Sequence, residues 1–440
     1  MRKLLWIAIL LIASSVSLFS LEIITRKQAL ETVLLKNNLL SYQEYVVKQA
    51  EYEHETAKSQ LKPDLSLKNE FTRSDEPSIS AFSKISQGNF TPVYMASMDN
   101  PDLNNNFKTS LTLSMPLWHG GQIREYIKIA KLNVDVKKFE YERKKRELIS
   151  QTIKSYENII VAESYLQVAE NSLKTAYEEL RIINDMKQAG LAVDSDVIRA
   201  ELHVAESEEF LIQSQNNLSL ARYNLLFIMG YSDFFDFNIE GKLDKKTCSS
   251  LSYDELRKTA LENRNDLKAL KKEFEKVSSV ISKLEKEKLP EISMFADYSL
   301  NSSKDFSNGE GEGKTIGIVS KLKLFDSGKN KAEINQYKAS HKALQNLIDN
   351  MENFISLEVK TIFLNRETAS KKIEVAAKSV SQAEENYKII QNRYRQGLIP
   401  YVSVIDAQSM IVKSQTRLIN SIYEFNICRE NMILATEINE

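Results

Sequence analysis

The sequence predicts a mainly α protein with a membrane β-barrel portion, in which a long helical hairpin occurs twice and four strands per chain join a barrel shared between copies. Three observations lead there: the places where glycine and proline are missing, an internal repeat without a gap, and four alternating segments of about ten residues.

Glycine and proline are costly inside a helix. Neither occurs between Gly121 and Gly190, between Gly328 and Gly397, from Asp194 to Met229, or from Tyr401 to the C-terminus. Four long helices follow, and at 1.5 Å per residue the two glycine-free intervals of 68 residues correspond to roughly 100 Å each. That length suits a tunnel wall better than a globular domain. Leu344, Ile348, Met351, Ile355, Val359 and Ile362 step by four or three, as do Val404, Ala407, Ile411 and, after a polar Ser414, Leu418, and a similar stripe joins Leu166, Ala169, Leu173, Tyr177 and Leu180. Such spacing predicts helices packed as coiled coils.

The repeat is read from Leu117-Trp118-His119-Gly120-Gly121, which matches Leu324-Phe325-Asp326-Ser327-Gly328 at a shift of 207 residues. The same shift carries Gly190-Leu191 onto Gly397-Leu398, Val197 onto Val404 and Ala200 onto Ala407. Upstream, Leu34, Asn38, Leu40 and Pro63 match Leu261, Asn265, Leu267 and Pro290 at a shift of 227. The predicted organisation is a first repeat over 21–230 (helix, strand hairpin 64–117, helical hairpin 122–230), a short linker 231–252, and a second repeat over 253–440 (helix, strand hairpin 291–325, helical hairpin 329–437).

The strand segments alternate. Phe107, Thr109, Leu111, Leu113 and Met115 share one face, with Lys108, Ser110, Thr112 and Ser114 on the other. Leu65, Leu67 and Phe71, then Ile292, Met294, Ala296, Tyr298 and Leu300, then Ile316, Ile318, Leu322 and Leu324, form three further apolar faces. Tilted strands of about ten residues cross a bilayer, and residues 73–106 and 301–313 read as hairpin loops. Four strands cannot close a barrel, and an open edge in lipid is prohibitively costly. Three chains give twelve strands and a hollow interior, whereas two give a small barrel plugged by its own side chains.

Arg2 and Lys3 ahead of the apolar run Leu4–Ala13 predict a signal peptide over 1–20, cleaved after Ser17 or Ser20. With 27% charged residues and a formal net charge of −1, the body lacks the basic excess that nucleic-acid binding needs. Cys248 and Cys428 imply no disulfide framework, and whether they pair is left open. His54, His119, His203 and His341 fall in separate segments without paired metal-ligand spacing, and three of them read as solvated helix positions. Neither a nucleophile elbow nor a phosphate-cradling loop is found. The chain is therefore expected to perform no catalysis, to hold no cofactor, and to draw transport energy from a partner.

This order of elements, with the turns Gly190-Leu191-Ala192-Val193-Asp194-Ser195-Asp196-Val197 and Gly397-Leu398-Ile399-Pro400-Tyr401-Val402-Ser403-Val404, resembles the outer-membrane efflux protein family of TolC-like exit ducts. The resemblance covers essentially the whole mature chain. It implies a homotrimer in the outer membrane, with a twelve-stranded barrel in the lipid and the helical hairpins forming a periplasmic α-barrel gated at its tip. It implies as partners a periplasmic adaptor (membrane fusion) protein and, through it, an RND or ABC inner-membrane transporter, in a tripartite efflux or type I secretion system. Gly190, Leu191, Ala192, Val193, Gly397, Leu398, Ile399 and Pro400 match the family's adaptor-contacting tip. Tyr394, Ser195 and Asp196 match its gate. Ile399 stands where the family carries an arginine, for which Arg393 or Arg395 could substitute. Asp406 matches one of two acidic positions ringing the aperture, and Ser403 replaces the other, so weaker cation binding is expected. A plain reading of the same residues makes the glycines helix terminators, the leucines hairpin core, and Ser195 and Asp196 helix caps. The competing reading of the whole chain is a soluble periplasmic coiled-coil or adaptor protein.

Overall fold

The computed structural model describes residues 22–247 and 251–438. The segment 1–20 with Ser17 and Ser20, and Cys248 with its pairing to Cys428, lie outside the described residues. In chain order the elements are β1 (Glu22–Ile24), α1 (Arg26–Lys36), α2 (Asn38–Ser59), β2 (Asp64–Ser74), α3 (Pro77–Ser86), α4 (Pro92–Ala96), β3 (Asn104–His119), α5 (Gln122–Gln188), α6 (Asp194–Met229), β4 (Phe237–Ile239), α7 (Tyr253–Asn263), α8 (Asn265–Lys286), β5 (Glu291–Ser302), β6 (Gly311–Lys321), α9 (Lys329–Arg395) and α10 (Val402–Thr436). They divide into two compact units. One comprises residues up to Glu44, Glu140–Asp266 and Met351 onward; the other comprises Tyr45–Phe139 and Leu267–Asn350.

The second unit holds an antiparallel sheet in the order β2-β3-β5-β6. Its register aligns the alternating residues into rows: Leu65, Leu113, Ala296 and Ile316 stand abreast, beside Leu67, Leu111, Tyr298 and Lys314. The opposite face carries Ser66, Thr112, Asp297 and Thr315, and Thr112 Oγ1 donates to Asp297 Oδ2 at 2.7 Å. The sheet is thus apolar on one side and polar on the other, the sidedness required of a wall between lipid and water. A bulge between Pro116 and Trp118 resets the alternation, so that Trp118 pairs with Ile292 on the apolar face. Residues 73–106, expected to be a loop, instead contain α3 and α4. Pro77 opens α3 at its first turn and Thr91 caps α4 by accepting from Tyr94 N–H.

Both strand-to-helix junctions adopt one backbone form. Gly120 and Gly121 have φ of 58° and 85°, and Ser327 and Gly328 have 56° and 85°. Only the first requires glycine at its leading position, because a Cβ on Gly120 would lie 2.7 Å from the Leu289 Cβ. At the second, Asp326 accepts from the backbone N–H groups of Asn330 and Gly328, each at 3.0 Å, and starts α9. Those N–H groups, Asn330 foremost, hold its carboxyl below the usual carboxylate range.

In the first unit, α1 and α7 begin with matching capping boxes, Thr25 with Gln28 and Ser252 with Glu255. Between the two repeats, β4 pairs in parallel with β1. The Tyr156 hydroxyl ties this pair to α5, donating toward Glu240 O (2.8 Å) and accepting from Glu240 N–H (3.0 Å). Around it Ile159, Leu225, Leu226, Met229 and Phe237 form a fully buried core with Val33 of α1.

The buried stripe of α5 toward its C-terminal end is Ala169, Ser172, Ala176, Glu179 and Ile183. The step of three and four is as expected, but of the expected residues only Ala169 is in it: Tyr177 is exposed and bonded to Glu208, while small side chains, one carboxylate and Ile183 occupy the seam. Small residues permit close helix approach, and their weak hydrophobicity hides them from a pattern search. His203 is also buried, contrary to the solvated position expected. Neither of its ring nitrogens has a hydrogen-bond partner among the described residues, because α6 turns it inward beside Val204 and Ala200.

Candidate functional site at the hairpin turns

The two hairpin turns are closed by identical backbone bonds. Leu191 N–H donates to Met186 O at 2.8 Å and Leu398 N–H to Arg393 O at 3.0 Å, while Gly190 and Gly397, with φ of 76° and 72°, each donate three residues back. Each is a helix end with glycine in the left-handed region, where any other residue is strained. Leu191 and Leu398 are 72% and 68% exposed, so they do not fill the hairpin core. Val193 and Pro400 are exposed as well, whereas Ala192 and Ile399 pack under the turns.

Beneath the turns lies a cluster of Ile183, Val197, Ala200, Tyr394, Tyr401 and Val404, drawn from both hairpins. At its centre Glu179 accepts from the hydroxyls of Tyr387 (2.5 Å) and Tyr401 (3.2 Å). Burial pushes the Glu179 carboxyl above the ordinary carboxylate range, opposed by those two hydroxyls and by nearby His203. Burial and the Glu179 charge likewise raise both tyrosines, which therefore stay neutral donors. Sequence reasoning did not find this trio. Its signal was a glutamate on an otherwise small-residue helix seam, facing a tyrosine just after the second turn.

The residues matched to the family's gate are brought near one another without bonding. Tyr394 is buried beside Tyr401, its ring centroid 5.4 Å away, and its hydroxyl has no partner among the described residues. Burial raises it, and the carboxylates of Asp196 and Glu179 raise it further. Asp196 is half-buried and Ser195 exposed. Neither caps α6, whose N-cap is Val193 with no side-chain bond, so the capping role is not played. Lys187 instead pairs with Asp194 at 2.7 Å. Arg393, Arg395 and Asp406 are exposed.

A two-faced antiparallel sheet, two very long helical hairpins and exposed apolar turns define a membrane channel of the type that crosses the outer membrane. The outer membrane efflux protein family matches residues 29–231 and 256–434, and the chain belongs to it. CusC shares 16% identity and a TM-score of 0.80 over 93% of this chain and 91% of its own. The CmeC outer membrane channel of Campylobacter jejuni shares 18% identity and 0.80 over 93% and 85%. VceC of Vibrio cholerae shares 17% and 0.77 over 93% and 95%. A search of the curated proteins found no match. The chain is an efflux channel of the outer membrane with a long periplasmic helical portion, in a family of channels and not of enzymes.

Proposed function

We propose that three copies form one passive exit duct, in which β2 of each chain pairs with β6 of the next to close a twelve-stranded barrel. The observation that carries this reading is the sheet itself. Among the described residues β2 and β6 are paired on one side only, and a bare edge cannot stand in hydrocarbon. The hairpins then line a water-filled periplasmic passage, and substrate leaves without covalent change. Gly190, Leu191, Ala192, Val193, Gly397, Leu398, Ile399 and Pro400 meet a periplasmic adaptor, whose inner-membrane RND or ABC transporter supplies energy. The high exposure of Leu191 and Leu398 supports this. The resting tip is closed by packing of α9 and α10 on the first hairpin, with Tyr394 and Asp196 at the moving seam and Asp406 ringing the aperture. The duct carries either small molecules in efflux or proteins in type I secretion.

The test is single-channel conductance of the purified mature protein in a planar bilayer, with oligomer mass measured on the same sample. A trimer with small, long-lived conductance, raised in the Asp196→Ala, Tyr394→Phe variant, is the expected result. A chain that never inserts would return the soluble coiled-coil reading.

A further inference from the structure

The helix inserted between β2 and β3 is fastened to the polar face of the sheet. Gly311 stands opposite Asn301, Asn301 opposite Lys108 and Lys108 opposite Glu70, so all four belong to that face. A Cβ on Gly311 would come 1.9 Å from Ser86 O, placing the last turn of α3 directly against it. Gln87, fully buried, donates through Nε2 to Asn105 O (2.8 Å), Asn106 Oδ1 (3.0 Å) and Ser302 O (3.4 Å), spanning two strands. Asn89 Nδ2 donates to Glu310 Oε2 (3.1 Å), which also accepts from Ser303 N–H (3.0 Å). Tyr94 donates to Ser80 Oγ (2.8 Å) and fixes α4 to α3.

This clamp decides which side of α3 is covered. Ser80, Ala81 and Ser83 are buried, whereas Ile79, Phe82 and Ile85, three residues apart, are 40%, 71% and 51% exposed. An apolar stripe of large side chains facing water is unfavourable unless something covers it. Lipid cannot, because the helix lies on the polar face, and in a closed barrel that face encloses the water. What remains opposite the stripe is the same stripe of the neighbouring copies.

We propose that α3 is an outer lid: the Ile79-Phe82-Ile85 stripes of the copies sharing the barrel meet over its lumen and narrow the exit at the end remote from the helices. This rests on the shared-barrel reading above. The lid is a constriction separate from the hairpin turns, so a duct opened by its adaptor still has an apolar orifice to pass.

The experiment places one cysteine on the stripe, Phe82→Cys, in full-length protein carrying Cys248→Ser and Cys428→Ser, and treats the detergent-purified sample with a short three-armed maleimide. The expected result is a covalent species of three chains, absent when Leu65→Cys on the apolar face is treated alike. A protein with the mass of a trimer whose Phe82→Cys chains remain single after treatment would overturn the lid alone. A protein that never exceeds the mass of one chain would take down the shared barrel and the lid together. As a second readout, Phe82→Trp in a Trp118→Phe background is expected to escape quenching by lipids with brominated tails; strong quenching would put the stripe in the membrane and overturn the proposal.

Discussion

The turns at Gly190 and Gly397 share a backbone and differ in everything attached to it. At the first, Asp194 sits in solvent, paired with Lys187 across the turn. At the equivalent place in the second stands Tyr401, almost wholly buried and donating to Glu179. The same contrast separates the strand-to-helix junctions, where Gly120 is pressed against Leu289 and Ser327 is exposed. Duplication has kept the chain-reversing geometry in both halves while the burden of holding a neighbour fell to one of each pair. The second turn is tied to the first hairpin through Glu179, and the first junction is seated against Leu289.

Breaking that contrast is the way to test it. The largest effect is expected from Tyr401→Ala, which removes a buried ring and orphans one Glu179 contact: about 3–5 kcal/mol of local stability, read by hydrogen exchange over residues 387–410. Protection retained there would show that this tie does not hold the second turn. Gly120→Ala comes next, at about 1–3 kcal/mol from a strained φ and overlap with Leu289. Ser327→Gly should leave the unfolding midpoint nearly unchanged, and equal shifts for the two substitutions would erase the asymmetry.

A pH effect sharpens the comparison further. A carboxyl raised in the folded state takes up protons on folding, so its stabilisation is complete in acid and is lost as pH climbs through the raised value. Tip protection, corrected for intrinsic exchange, should therefore fall as pH climbs through the interval above the ordinary glutamate value. The groups facing Glu179 are Tyr387, Tyr401 and His203, and the tyrosines stay neutral across that range. Glu179→Gln should flatten the profile; an unchanged slope in that variant would assign it to another group. The smallest effect belongs to Asp194→Ala, for which no shift in the thermal unfolding midpoint is expected, since exposed ion pairs contribute little.

The contrast also explains what could be read from the chain alone. Glycines at 120, 121, 190, 328 and 397 marked the turns because left-handed backbone has a residue-specific signature, and the strand faces were legible because alternation has one period. Other features had no such mark. β1 and β4 are three residues each and exist through a distant partner. The seam of α5 is built of alanine and serine, which score as neither core nor surface. Glu179 and His203 were hidden by the assumption that charged and titratable side chains face water. The helix α3 was lost inside a serine-rich stretch, although Pro77 ahead of Ile79, Phe82 and Ile85 was a start signal followed by a stripe.

The one-sided pairing of β2 and β6 bears on biogenesis. On the shared-barrel proposal, a solitary chain cannot complete its own membrane-spanning wall, so folding, association and insertion become a single event of high order in chain concentration. Yield in the membrane should rise more steeply than expression, and chains made too slowly to meet their neighbours would wait in the periplasm with two sticky margins, dependent on chaperones or lost to proteolysis.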